Sequence, residues 1–223
     1  MKFKFSLLLS KIRLKNLLLI TPPFTQLNTP YPATAYLKGF LNTKNIPSYQ
    51  MDLGIEVILE LFSSQGLQSV FSVNDLQLVS SNSQRVYSLR TEYIKTIDAV
   101  ISFLQGNNPS LACQMCSGNF LPEASRFEQL DDMEWAFGTM GIQDKAKHLA
   151  TLYLEDLSDF IVECIDENFG FSRYAERLGR SANSFDELYH HLNQPSTYID
   201  QISLQVLKER IEEVQPKLVC FSV

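Results

Sequence analysis

The chain has little of what would name its chemistry. It holds 4 cysteines and 3 histidines in 223 residues. Four cysteines in a chain this size argue against a disulfide framework. The loop Thr21–Tyr31 has no glycine, which excludes a Walker loop and a dinucleotide fingerprint there. No Ser/His/Asp order, paired-carboxylate motif or phosphate loop stands out. Positive charge is in deficit: 19 Lys and Arg face 25 Asp and Glu, a net charge of −6. Nucleic acid and anionic membrane surfaces are therefore poor partners. No apolar stretch approaches the roughly 18–20 residues that span a bilayer. The apolar run Phe5–Leu9 is too short for a signal core. Lys11, Arg13 and Lys15 prevent its extension toward Leu17, and no small-residue cleavage site precedes Pro22. The expectation is a cytoplasmic chain without nucleic-acid or membrane partners. The alternative for the N-terminus is a basic arm that touches a membrane.

What is present is an α/β pattern. Asn16–Ile20 is a short continuous apolar run that ends at Thr21-Pro22-Pro23, where the prolines force an extended exit. Pro32 then sits where the first turn of a helix tolerates it. Ala33, Tyr36, Leu37, Phe40 and Leu41 recur at helical spacing and predict a buried apolar face. Gly39 inside that helix costs about 1 kcal/mol relative to alanine, and close approach to a strand would explain it. Asn42–Asn45 end the helix, and Ile46–Asp52 reads as a second strand. Such a βαβ unit crosses over right-handed, which makes its strands parallel neighbours.

From Gly54 the period is helical. Ile55, Ile58, Leu59 and Phe62 form one face, and Leu67, Val70 and Phe71 a second short helix. Tyr93, Ile94, Ile97, Val100, Ile101 and Leu104 form a longer one, stopped by Gly106-Asn107-Asn108-Pro109. Cys116–Gly141 reads as irregular. Leu149, Leu152, Tyr153, Leu157, Phe160, Ile161, Cys164 and Ile165 mark the cleanest helix. Ser184 and Glu187 have capping-box spacing. Ile199, Ile202, Val206, Ile211 and Val214 mark the last helix, ended by Pro216. Residues 217–222 form an apolar, β-prone run that reads as an inner parallel strand. The pattern predicts a partial Rossmann-like, flavodoxin-like sheet of three parallel strands, at 16–21, 46–52 and 217–222, with the first in the middle. It divides the chain into a first βαβ unit (1–53), a helical insertion (54–215) and a third strand (216–223). An inner strand at the very end predicts that the chain is the N-terminal part of something longer.

Candidate chemistry is sparse. In open α/β sheets ligands bind beyond the carboxyl ends of the strands. The loop after the first strand lies there and carries Thr21, Thr25, Gln26, Asn28 and Thr29, which suit a neutral polar ligand. A plain connection is the simpler reading. Asp52 ends the second strand, where it could meet a ribose, but an Asp before a helical run is more often a cap. Cys113 and Cys116 form a Cys-x-x-Cys without further zinc ligands at suitable spacing and without the thioredoxin-like strand–helix context of a redox pair, and buried structural cysteines are the expectation. His190 and His191, adjacent on a helix, point in different directions and read as a solvated pair. No residue is assigned to catalysis or to a metal.

The segment LLLITPPFTQLNTPYPATAYLKGFLNTKNIPSYQMDLGIEVILELFS resembles the opening of cobalamin-binding radical S-adenosylmethionine proteins. In that family a strand ends in Pro-Pro, a helix of the type P-x-x-x-x-L-x-G/A-x-L follows, and the next strand ends in Asp. Leu17–Pro23, Pro32–Leu41 and Tyr49–Asp52 fit this order. FLQG at Phe103–Gly106 and LPEASRF at Leu121–Phe127 are similar to a helical segment in a subgroup associated with peptide modification. The resemblance is close over 17–62 and loose elsewhere. It implies a cobalamin domain followed by a radical domain, which would hold a 4Fe-4S cluster and S-adenosylmethionine. That second domain is absent from this sequence, and Cys113 and Cys116 do not match its motif. The family's cobalt-binding Asp-x-His-x-x-Gly has no counterpart, since Asp52-Leu53-Gly54-Ile55-Glu56 lacks a histidine. By position the resemblance implies Thr21, Pro22, Gln26, Leu27, Asn28, Asp52 and Ser222 as cobalamin-pocket residues. The implied partners are cobalamin, the chain's own radical domain and a peptide substrate. The rival expectation is a non-catalytic module that binds a peptide or protein partner without cobalamin.

Overall fold

The computed structural model describes residues 16–23, 27, 31–73, 77–132, 141–167, 169–171 and 185–222. β1 (Leu17–Thr21) leads through α1 (Ala33–Thr43) to β2 (Ser48–Asp52). Among the described residues seven helices come next: α2 (Leu53–Leu61), α3 (Ser64–Phe71), α4 (Ser81–Ser88), α5 (Arg90–Leu104), α6 (Leu111–Met115), α7 (Ile142–Cys164) and α8 (Phe185–Leu192). A 3-10 helix, Ser125–Asp132, lies between α6 and α7. Last come α9 (Tyr198–Val214) and β3 (Leu218–Phe221). The sheet order is β2-β1-β3, and both pairings are parallel. This is the expected partial Rossmann-like α/β fold, with β1 in the centre.

Strand alternation divides the sheet into two faces. Leu18, Ile20 and Met51 join the main hydrophobic core. Leu17, Leu19 and Thr21 are also buried but point the other way, toward α1, which packs on β1 and β2. Two asparagines start the strands. Asn16 and Asn45 adopt φ of 61° and 53°, left-handed values that asparagine tolerates better than most residues. Gln215, at φ 47°, ends α9 the same way before Pro216.

The helical body is closely filled. On α5, Tyr93, Ile97 and Val100 are fully buried at i, i+4 and i+7. On α7, Ala150, Tyr153, Phe160 and Ile161 are equally buried. Tyr93 and Tyr153 meet as tilted rings at 5.0 Å between centroids, and Phe71 meets Phe160 at 5.1 Å. Burial of each phenylalanine ring contributes about 1.5–3 kcal/mol. An Arg210–Glu56 pair, 3.1 and 3.2 Å to the two carboxylate oxygens, ties α9 to α2.

Two expectations about α1 are corrected. Its inward residues are Thr34, which is buried, with Lys38 and Leu41 half-buried, at i, i+4 and i+7. The apolar stripe is left outside: Tyr36 is 78% exposed, Phe40 59% and Leu37 47%. The helix is turned from the expected orientation by about 100°, one residue step. The crossover between two parallel strands sets which side of α1 meets the sheet, and Thr34 finds polar partners there. Gly39 is exposed, and a Cβ there would meet nothing within 4 Å, so no close approach explains it. Sequence periodicity also missed α4, which is polar; its cap, Ser80, accepts from the Ser83 N–H at 3.0 Å. The capping box of α9 is Thr197 with Asp200. The spacing at Ser184 lies outside the described residues.

Candidate functional site

The carboxyl end of the sheet brings three of the expected residues together. Thr21 pairs in register with Asp52, and Ser222 follows Phe221, the register partner of Ile20. Asp52, Thr21 and Ser222 therefore form a row across the ends of β2, β1 and β3. Pro22 is half-buried beside Thr21, and Leu27 packs against the core. Gln26 and Asn28 lie outside the described residues, as do Thr25 and Thr29.

Each side chain in the row has a partner. Thr21 Oγ1 lies 3.3 Å from Thr34 Oγ1, and both are buried. Gln50 Nε2 donates to Thr34 Oγ1 at 3.0 Å. Ser222 donates to the Ile20 carbonyl from its backbone N–H at 2.9 Å and from Oγ at 3.2 Å. Asp52 Oδ1 accepts the Ile55 N–H at 3.1 Å and caps α2, the role its position predicts. Thr34 and Gln50 were not legible as members of this network. A lone threonine among apolar helix positions gives no periodic signal, and Gln50 matters only through the register of β2.

The row offers neutral hydroxyls and one carboxylate that a helix N-terminus already uses. It contains no acid–base pair. Among the described residues no three His, Cys, Asp or Glu side chains are grouped to hold a metal. No imidazole stands beside Asp52 in sequence, because residues 53–56 are Leu, Gly, Ile and Glu.

The strongest carboxylate chemistry belongs to α7 and is structural. Asp156, Asp159 and Glu163 lie at i, i+3 and i+7, one stripe of that helix. Asp156 is fully buried and accepts the N–H groups of Ala124 at 3.1 Å and Arg126 at 3.0 Å. Burial pushes its pKa up to about 6, against the pull of those two donors. Asp159 takes the Arg126 guanidinium at 2.7 and 2.8 Å. Glu163 accepts from Val79 N, Ser80 N, Ser80 Oγ and Ser83 Oγ at 2.6–3.2 Å. Partial burial raises the Glu163 pKa, but the Ser80, Ser83 and Val79 donors reverse this and leave it lowered. These acids hold the segments 79–83 and 124–126 onto α7. None was singled out by the apolar period.

The Cys-x-x-Cys differs from the expectation. Cys113 is exposed and Cys116 half-buried. Leu111, Ala112 and Met115 take the inward side of α6, which turns Cys113 out. His190 is exposed, with Gln194 Nε2 2.9 Å from its Nε2. No helix among the described residues is long and apolar enough to cross a membrane. No protein-family model, curated protein or solved structure matches the chain.

Proposed function

We propose that this chain is a cobalamin-binding-type domain of a radical S-adenosylmethionine enzyme that modifies a peptide or small molecule. One observation carries the reading: Asp52, Thr21 and Ser222 line up at the carboxyl end of a parallel sheet whose central strand is β1. There the sheet order reverses, and open α/β sheets bind ligands at such a point. The donor set suits a corrin held without an axial imidazole, since the row carries hydroxyl groups and no histidine. Thr21, Pro22, Leu27, Asp52 and Ser222 would form the floor of the site, and Gln26 and Asn28 are the further pocket residues that the resemblance implies. Bound cobalamin would supply cobalt-centred chemistry to a radical domain of the parent enzyme. The 4Fe-4S cluster and S-adenosylmethionine would belong to that domain. A cytoplasmic location accords with the reading.

Hydroxocobalamin titration, followed in the visible spectrum, tests it. We expect weak uptake by the chain, no spectrum of histidine–cobalt coordination, and a further loss of about tenfold, near 1.4 kcal/mol, in the double variant Gln26→Ala, Asn28→Ala. A folded chain with a Kd weaker than about 1 mM would overturn it.

The second reading, a module that binds a peptide or protein without cobalamin, is favoured by the exposed stripe Tyr36, Leu37 and Phe40 on α1. Charged substitutions on that stripe would then abolish partner binding, whereas cobalamin uptake would be indifferent to them.

A further inference from the structure

Cys113 and Cys116 stand apart from the sheet, on a short helix with 3-10 turns at both ends. Its entry is made of i→i+3 bonds: Leu111 N to Asn108 O at 3.2 Å, Ala112 N to Pro109 O at 3.4 Å and Cys113 N to Ser110 O at 3.3 Å. Its exit repeats the pattern with Ser117 N to Gln114 O at 3.2 Å. Between these flanks Cys116, the C-cap, makes an α-type bond from its N–H to Ala112 O at 3.0 Å. Gly118 follows at φ 81°.

In an α-helix, residues three apart hold their Cβ atoms about 5–6 Å from each other. A disulfide needs about 3.5–4.5 Å. In a 3-10 turn, side chains at i and i+3 eclipse. Tightening the last turn of α6 toward the 3-10 form, which its two flanks already have, closes that gap. Cys116 lies at the helix end, two residues before a left-handed glycine, where this costs little. The exposed Cys113 is open to attack from solvent. Cys116 Sγ is held at its inner side by the Ile142 carbonyl, 3.6 Å away at the start of α7.

We propose that Cys113 and Cys116 form a reversible dithiol modification site, oxidised to an intramolecular disulfide by small-molecule disulfides. The Cys113 thiolate attacks one sulfur of the reagent disulfide. The S–S bond breaks, one thiolate leaves and is protonated, and a mixed disulfide forms on Cys113. Cys116, deprotonated, then attacks the Cys113 sulfur and expels the second thiol. Two protein thiols are oxidised and one disulfide is reduced to two thiols, which carry the two protons. Cys113 is the exposed thiol of the pair and Cys116 the half-buried one, so Cys113 is the entry point. Cys164, whose thiol burial and Glu163 push up to about 11, is the internal control. The inference does not rest on the cobalamin reading.

The test exposes the native chain to glutathione disulfide, then quenches, alkylates and digests with trypsin. Residues 96–126 form one tryptic peptide that contains Cys113 and Cys116 and neither of the other cysteines. We expect that peptide to lose two hydrogens without retaining glutathione, and to regain them with reduced glutathione. In Cys116→Ser the glutathione adduct should persist on Cys113. In Cys113→Ser, oxidation of the peptide should be about tenfold slower, as the remaining thiol is half-buried. A stable glutathione adduct in the unsubstituted chain, intermolecular cross-links, or faster loss of Cys164 or Cys220 would each overturn the proposal. The unsubstituted chain carries these readouts even if a serine variant fails to fold.

Discussion

Phe160 and Phe40 are the same side chain in opposite settings. Phe160, on α7, is fully buried against Phe71. Phe40, on α1, is more than half exposed and has the Lys44 ammonium 5.6 Å from its ring centre. The contrast extends to the regions around them. From α2 to α7 most apolar positions are buried and the acids of α7 are committed to backbone and side-chain partners. Around the sheet, Tyr36, Leu37, Phe40, Tyr49, Leu218 and Phe221 stay exposed. Among the described residues both β2 and β3 are edges. The helical body buries its apolar faces within itself and leaves the buried Tyr93 hydroxyl without a hydrogen-bond partner among the described residues, whereas the sheet layer presents apolar surface and unpaired strand edges of the kind that accept another element.

The largest test of this contrast substitutes the two phenylalanines. Phe160→Ala should cost about 3–5 kcal/mol in urea unfolding, the range for emptying a core aromatic site. Phe40→Ala should cost no more than about 1 kcal/mol, the scale of an exposed cation–π contact. Equal costs would mean that α1 is covered by something.

Asp156 sharpens the picture of the helical body. Asp156→Ala leaves the buried Ala124 N–H without its acceptor, at about 1–3 kcal/mol, and frees the part-buried Arg126 N–H at a smaller cost. Its carboxyl has a folded pKa of about 6 against an unfolded value of 3.8. Because the pKa is raised, the stability that protonation of Asp156 contributes is complete below the unfolded value and is lost as pH rises through about 6. The penalty of Asp156→Ala should therefore grow on acidification from about pH 7 to pH 4, by up to about 3 kcal/mol. A penalty that shrinks over that interval would show that the ionised form is the favoured one in the fold.

Two glycines give a smaller comparison. A Cβ at Gly66, in the first turn of α3, would run into the backbone oxygens of Glu60 and Leu61, whereas one at Gly39 meets open space. Gly66→Ala should destabilise by about 1–3 kcal/mol through overpacking. Gly39→Ala should stabilise by up to about 1 kcal/mol, the helix propensity difference.

The same contrast explains what the sequence made legible. The strands and their order were readable because β1 is a continuous apolar run and the crossover rule fixes the rest. The main helices were readable where one apolar face is buried, as on α5 and α7. The periodicity of α1 was just as clear and misled, because apolar spacing shows that a face exists and not that this chain covers it. Thr34, Asp156 and Glu163 escaped because their roles come from groups more than a dozen residues away. Within the site, Thr21 and Asp52 followed from strand ends and Ser222 was implied by the resemblance, while Gln50 needed the register. The flanking Leu111 and Ala112 suggested a buried Cys113; the turn geometry instead puts those two inside and Cys113 outside.

Light scattering of the chain across a concentration series, on a size-exclusion column, tests the open sheet layer most directly. An open layer predicts a mass that rises with concentration. It also predicts that Leu218→Lys with Phe221→Lys, which places charge on the β3 edge, suppresses the rise and leaves the urea midpoint nearly unchanged. A monomer of constant mass into the high-micromolar range, together with a lysine variant that is strongly destabilised, would contradict it, because β3 would then be a covered strand.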